Sequence, residues 1–234
     1  MKDYLIIEEN LIPDDINEIY HLIDQFGTWE DGNLSYHGGK NGVKKNNQIS
    51  FSDEFALQKL WYNHENLYKY LSDIVFDRID TYTSFRDYTI ASESRPPMIS
   101  RTSVGGYYHP HHDKASNGDF STTIFLNDDF EGGELCLWLN GGEERIKLPA
   151  GGSVTYKTGT PHMVREVTEG HRDVVIFWTH SRLRDPFEIE LYRGLSQALR
   201  CLKFNHNTTL EEADKDPIFI IRALRNSLLR KSSR

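Results

Sequence analysis

The stretch Tyr107-Tyr108-His109-Pro110-His111-His112-Asp113 carries the residue types of a metal site. In an extended strand, residues i and i+2 point to the same side, so His111 and Asp113 offer an imidazole and a carboxylate to one point while His112 faces away. A metal that keeps open positions needs one more protein ligand. Two histidines with one carboxylate is the set that leaves room on Fe(II) for O2 and a chelating substrate. The leading third ligand is His162, in Gly159-Thr160-Pro161-His162-Met163-Val164, 49 positions beyond Asp113 in a turn leading into a strand. By residue type its rivals are His171, in an exposed turn between Gly170 and Arg172, and His180, placed beyond the last strand. A rival pair is His109-x-His111, which discards Asp113 and sets Pro110 between two ligands.

Ten residues after His162, Arg172 opens the strand Asp173–Trp178. The planar guanidinium makes two parallel charge-assisted hydrogen bonds to a carboxylate, which a Lys cannot duplicate. It can clamp one end of a dicarboxylate while the metal chelates the other, and 2-oxoglutarate fits both demands. His-x-Asp alone arises easily by chance; its conjunction with a strand, a second His about 50 residues on and an Arg ten further is the signal. Other clusters read more plainly. Glu131-Gly132-Gly133-Glu134 is a tight turn, because no Lys-Ser/Thr or helix follows to make a phosphate loop. Asp128-Asp129 and Glu143-Glu144 are solvated turn charges, and Trp178 is barrel packing. Lys45, Asn46, Asn47 and Gln48 either contact a macromolecular substrate or pin their own loop.

These residues need a scaffold of strands. Residues 4–8 read as a strand, and Ile12-Pro13-Asp14-Asp15 starts a helix with Ile16, Ile19, Tyr20, Leu22 and Ile23 largely on one face, ending near Gly27. Trp29 to Asn47 reads as a long loop or irregular hairpin, and 53–62 and 65–79 as helices. From 98 to 180 come short β-type runs broken by Gly, Asn and Asp: 98–102, 122–126, 134–139, 145–148, 153–156, 163–167 and 173–179. Such spacing indicates a sandwich or barrel. Asp185-Pro186 starts a helix to about Leu202, and after the polar linker Asn205–Asp214 a last helix runs from Pro217 to Leu229. The expectation is one α+β domain over 1–234: helical support in 1–97, a β core in 98–180 and C-terminal helices in 185–234.

At these residues the chain resembles the PKHD-type Fe(II)/2-oxoglutarate hydroxylases, relatives of the prolyl 4-hydroxylases. The resemblance is carried by Pro96-Pro97, Gly105, His111-His112-Asp113, Thr123-Ile124-Phe125-Leu126-Asn127-Asp128, Glu131-Gly132-Gly133-Glu134-Leu135 and Leu148-Pro149-Ala150-Gly151. It continues through His162, Gly170-His171-Arg172 and Phe177-Trp178, and upstream through Trp29, Asp31-Gly32 and Lys45-Asn46-Asn47-Gln48, nearly the whole chain. It implies a double-stranded β-helix (jelly-roll) core, iron ligation by His111, Asp113 and His162, and binding of the 2-oxoglutarate C5 carboxylate by Arg172. Tyr108 resembles an active-site aromatic of the motif, whereas strand parity counted back from His111 favours Tyr107 or His109. The implied reaction hydroxylates a C–H bond, of a prolyl residue in a peptide or protein, with release of succinate and CO2 and with ascorbate as reductant. One departure stands at Thr102, where the family has a Tyr that reaches the co-substrate; Arg101 and Tyr107 are the neighbours that can take its place.

The rest of the composition excludes more than it assigns. Of 234 residues 38% are apolar and 26% charged, enough for a core. A net charge of −8 gives no general attraction to nucleic acid, although Arg222, Arg225, Arg230, Lys231 and Arg234 cluster at the solvated end of the last helix. Cys136 and Cys201, 65 positions apart, suit free thiols in a reducing compartment, and no run approaches the ~20 apolar residues of a membrane span. The expected location is cytoplasmic. Two rival readings remain: a 2-oxoglutarate oxygenase acting on a free amino acid, another small molecule or a nucleobase, and a β-barrel module whose metal is not catalytic.

Overall fold

The computed structural model describes residues 3–35, 42–49, 61–202 and 216–231, with backbone alone at 34–35, 61–65 and 231. Strand β1 (Tyr4–Ile7) leads into helix α1 (Pro13–Phe26). Pro13 lacks the N–H that the first turn leaves unpaired anyway, and the Asp15 carboxylate accepts from Ile12 N–H at 3.0 Å. Helix α2 (Trp61–Ile79) buries Leu67, Leu71, Val75 and Ile79 at four-residue spacing. Both helices seal one face of the main sheet, where Ile19, Leu22 and Ile23 of α1 join Ile49, Ile99, Ile124, Val175 and Phe177 in one apolar cluster. Residues 53–60 of an expected helix, the linker Asn205–Asp214 and Arg234 lie outside the described residues.

Two antiparallel sheets form the core. Its strands are β2 (Glu30–Asp31), β3 (Lys44–Lys45), β4 (Asn47–Ile49), β5 (Ala91–Ser94), β6 (Met98–Ser103), β7 (Tyr107–His111) and β8 (Phe120–Phe125). They continue as β9 (Glu131–Gly132), β10 (Leu135–Leu139), β11 (Gly142–Ile146), β12 (Ser153–Lys157), β13 (His162–Val164), β14 (Val167–Glu169) and β15 (His171–Ser181). The larger sheet runs β1-β12-β8-β15-β6-β4-β2 with β5 against β15; the smaller runs β11-β10-β13-β7-β3; β9 and β14 pair separately. Phe125, Phe130, Leu135, Leu137, Ile146, Val154, Tyr156 and Val174 pack as a second cluster, drawn from inward positions of both sheets. This is the expected α+β jelly roll.

Several elements differ from the expectation. The segment Trp29–Asn47 supplies three short strands, β2, β3 and the start of β4, with a 3-10 turn at Gly32–Ser35 between the first two. The run expected at 145–148 is β11, which begins at Gly142 because Leu139 pairs with Gly142 across the two-residue loop Asn140-Gly141. Glu143 and Glu144 therefore sit on an exposed edge strand rather than in a turn. The run expected at 163–167 divides into β13 and β14. Strand β15 extends to Ser181, so His180 lies on the last strand and not beyond it. Helix α3 (Thr83–Thr89) and β5 lie where the spacing predicts neither helix nor strand; α3 holds by burying Phe85 and Tyr88.

Helices α4 (Pro186–Cys201) and α5 (Pro217–Lys231) follow as expected, α4 capped by Asp185, whose carboxylate accepts from Glu188 N–H at 3.0 Å. They pack on each other and close a small cluster of Ile90, Leu183 and Tyr192. Of the C-terminal cations, Arg222 and Arg230 are exposed while Arg225 lies over the Tyr192 ring. No helix among the described residues is long and apolar enough to cross a membrane.

A half-buried ion pair joins α1 to the main sheet on its helix-covered face. Arg101 donates through Nε and Nη2 to both Asp173 oxygens at 2.8 and 2.7 Å, and the Tyr20 hydroxyl donates to the same carboxylate at 3.1 Å. Arg101 also lies 4.7 Å from the Trp29 ring centroid. The carboxylate is only 1% exposed. Arg101→Met leaves it without its cation, so it should lower unfolding free energy by about 3 kcal/mol in urea denaturation.

Candidate active site

Strand pairing brings the distant ligand candidates together. His111, the last residue of β7, is the cross-strand partner of His162, the first of β13. Asp113 follows two residues later, past the strand end. His111 Nε2 lies 3.8 Å from Asp113 Oδ1, His162 Nε2 lies 3.9 Å from Asp113 Oδ2, and one ligand atom from each residue falls within 4.8 Å of the others. No other such group of His, Cys, Asp or Glu occurs among the described residues. His112 is exposed, His171 turns to Asp173 at 3.5 Å, and His180 stands 3.8 Å from Asp119. His109 contributes its carbonyl rather than its ring.

The surroundings prepare these groups for a cation. His111 Nδ1 bonds the His109 carbonyl at 2.8 Å and His162 Nδ1 the Thr160 carbonyl at 2.9 Å. A carbonyl only accepts, so each Nδ1 carries the proton and each Nε2 lone pair faces the gap. Burial, with the neighbouring His162 ring next, pushes His111 down to about 4, so it stays neutral near pH 7, the state that binds metal. Asp113 Oδ2 accepts from Trp178 Nε1 at 2.9 Å and from Ser121 Oγ at 3.0 Å, and Thr158 Oγ1 is 3.1 Å from Ser121. Two nitrogen donors and one fixed carboxylate on one side of a gap fit a divalent ion with positions left open.

Trp178 thus does more than pack the barrel. Arg172, Val174, Ile176 and Trp178 alternate along β15, and the parity that turns Arg172 inward turns the indole onto Asp113 as well. Trp178→Phe removes that donor while keeping an aromatic ring in the wall; metal affinity should fall about tenfold, read by titration with Mn(II).

Tyr108 stacks on His111, ring centroids 3.5 Å apart and planes 18° apart. Parity from His111 predicts the opposite face, and a bulge reverses it: His162 pairs with His111 but Val164 pairs with Tyr108, so three steps on β7 match two on β13. Lys44 Nζ, buried, sits 5.1 Å from the Tyr108 centroid and donates to Gln48 Oε1 at 3.2 Å. Burial lowers this lysine to about 8, partly offset by Asp113 and Asp31. Neither proposed stand-in for a phenol at position 102 faces the site. Arg101 is engaged by Asp173, and the Tyr107 hydroxyl donates to the Gly42 carbonyl at 3.2 Å. Of Lys45–Gln48, Asn46 Nδ2 donates to Ser100 Oγ at 2.8 Å, which anchors this segment to β6.

Arg172 is 2% exposed, lies opposite Thr102 in the β15–β6 pairing, and sets its guanidinium 5.1 Å from the Phe125 centroid. Its Nε is buried with no hydrogen-bond partner. Burial lowers it to about 10, so it is still a cation at neutral pH. The Glu131-Gly132-Gly133-Glu134 turn has a use here. Gly133 has φ +66°, and a side chain there would press on Phe130, Val167 and, at 3.2 Å, the Arg172 stem. Tyr156, also inside the barrel, is held well above the usual phenol range by burial and stays protonated.

A jelly roll carrying two histidines and an aspartate at one end of its interior and an unpaired arginine deeper in it defines a class. The family model described as the 2OG-Fe(II) oxygenase superfamily matches residues 97–180. A PKHD-type hydroxylase of Thermosynechococcus vestitus is 33% identical over 217 residues, 88% of this chain and 91% of that protein. One from Nitrobacter winogradskyi is 29% identical over 209 residues, 84% and 87% of the two chains. A prolyl hydroxylase from Trichoplax adhaerens, solved with a hypoxia inducible factor peptide fragment, shares the fold at TM-score 0.58 and 16% identity, over 76% of this chain and 84% of its own. A Pseudomonas putida prolyl-4-hydroxylase does so at 0.51 and 15%, over 77% and 94%. The class is therefore that of the 2-oxoglutarate-dependent Fe(II) oxygenases, oxidoreductases that use iron, 2-oxoglutarate and O2. Within it, the chain belongs to the PKHD-type hydroxylases.

Proposed function

We propose that His111, Asp113 and His162 hold one Fe(II), that Arg172 binds the distal carboxylate of 2-oxoglutarate, and that the chain, acting as a single domain, hydroxylates a prolyl residue of a peptide or protein. The observation that carries this reading is the Arg172 guanidinium: buried, cationic and without a carboxylate at ion-pair distance among the described residues, on the same face of β15 as Trp178, which bonds Asp113. A buried charge is costly unless paired, so this one calls for an anionic ligand. Bound iron supplies the oxygen chemistry, coupled to decarboxylation of 2-oxoglutarate to succinate and CO2. The protein's part is to aim two imidazoles and one carboxylate at the ion and to orient the dicarboxylate by its far end. Tyr108 fixes the His111 ring by stacking on it.

The prolyl substrate is supported by the family and by the peptide held by the Trichoplax adhaerens enzyme. Ascorbate is the proposed reductant. Free Cys136 and Cys201 support a reducing, cytoplasmic setting. The test is to incubate the chain with Fe(II), 2-oxoglutarate and ascorbate plus prolyl peptides, free amino acids or oligonucleotides. Mass spectrometry should show one added oxygen on a proline of a peptide. Oxygen gained only by a free amino acid or an oligonucleotide would refute the peptide substrate.

A further inference from the structure

The larger sheet ends at β1, which pairs with β12 on one side and with no strand among the described residues on the other. The chain around α3 shows which backbone groups face that open edge. The Tyr88 hydroxyl donates to the Asp3 carbonyl at 2.8 Å, and the Tyr82 hydroxyl, just before the helix, donates to the Glu9 carbonyl. Along an antiparallel strand the N–H and C=O of one residue point the same way and alternate with those of the next, so Leu5 turns its pair outward with Asp3. A cavity of about 540 Å³ lies there, walled by β1, α3 and α4. Tyr4 and Ile6 pack on the cluster inside the barrel and Leu5 on the cluster beneath the helices, yet all three line this cavity. Only the open edge meets both faces of a strand, so the cavity runs along it. Its volume is that of a ligand site, about 300–1,000 Å³, and its walls share no residue with the triad, Arg172 or their partners.

The other walls carry charge. Arg193 and Arg200 of α4 line the cavity together with Asp87 of α3. Arg200 pairs with Asp87. Arg193 instead donates to the Tyr88 carbonyl and lies 5.0 Å from the centroid of that ring, and its Nε is buried with no hydrogen-bond partner. Two cations against one carboxylate leave one positive charge over. An open strand edge is a template for another strand, and a half-buried guanidinium with an unused N–H suits a carboxylate. A ligand that satisfies both has a peptide backbone and an acidic side chain. We infer that the open edge of β1 is a docking site for an extended segment of a partner protein, which adds as a strand beside Leu5 and sets an Asp or Glu on Arg193. The inference is independent of the chemistry proposed for the triad.

The test selects a phage-displayed library of random heptapeptides on the full chain. Enriched peptides should carry an Asp or Glu among β-branched and aromatic residues. The tightest, resynthesised, should slow amide hydrogen exchange in β1 when it binds. Its affinity should fall about tenfold or more when its acidic residue is changed to the amide, and again when the chain carries Arg193→Met, since each change removes a hydrogen bond to a charged group. Mn(II) affinity equal to the parent's reports that this variant is folded. N-methylation of alternate peptide amides, which needs no variant of the chain, should abolish binding because those amides can no longer join the edge. No enrichment, an enriched set without acidic residues, a methylated peptide that binds as well as its parent, or protection at β7 and β13 in place of β1 overturns the assignment. A folded Arg193→Met chain that binds the peptide with parental affinity does so too.

Discussion

Arg172→Met should weaken 2-oxoglutarate binding about 100-fold while making the ligand-free protein more stable. The first effect follows from losing two charge-assisted hydrogen bonds, each worth about 1.5–3 kcal/mol, where about 1.4 kcal/mol is a factor of ten. The second follows from burial. In the free protein the guanidinium has been taken out of water, pushed down to about 10, and given an aromatic face rather than a carboxylate. Met fills similar space without a charge, and such exchanges are often stabilising by about 1 kcal/mol or more, or roughly 2–4 °C in Tm per kcal/mol at this chain length. 2-Oxoglutarate should raise the Tm of the parent and leave that of the variant unmoved, because only a ligand that binds the folded state stabilises it. Calorimetry and a thermal melt on the same samples check both. A variant less stable than its parent would mean that Arg172 is a structural cation.

Asp113→Ala should lower Fe(II)-dependent succinate formation on the order of 1,000-fold, measured with 2-oxoglutarate in excess. Asp113 is the one anionic member of the triad, and bound metal contributes several kcal/mol to the reaction it supports. Stability should respond far less. Trp178 Nε1 loses its acceptor while Ser121 Oγ keeps Thr158 Oγ1, and an unsatisfied buried donor costs about 1–3 kcal/mol, a few degrees in a melt. Activity retained within tenfold would place the metal elsewhere.

The site was legible where chemistry and strand periodicity coincide. His111 and Asp113 read as a pair from i, i+2 geometry, and His162 and Arg172 from type and spacing, because a β core of this length has to fold back and juxtapose its strands. Tyr108 was not legible from parity, since the bulge that reverses its face depends on how β7 pairs with β13, a long-range property. Trp178 was within reach: counting inward positions from Arg172 lands on it. In the scaffold, strong amphipathic spacing marked α1, the described part of α2, α4 and α5. The polar two-turn α3 hides in composition, held by two buried aromatics, and only the exposed start of β11 does, set by pairing with β10 ahead of the buried Ile146.

The central claim is that triad and arginine serve one bound pair, metal and dicarboxylate. Crystals of the chain grown with Mn(II) and 2-oxoglutarate without oxygen test it directly. One ion should sit between His111 Nε2, His162 Nε2 and an Asp113 oxygen, with the chelated ligand's far carboxylate on Arg172. An ion bound at other residues, or a ligand whose free carboxylate avoids Arg172, would contradict the account.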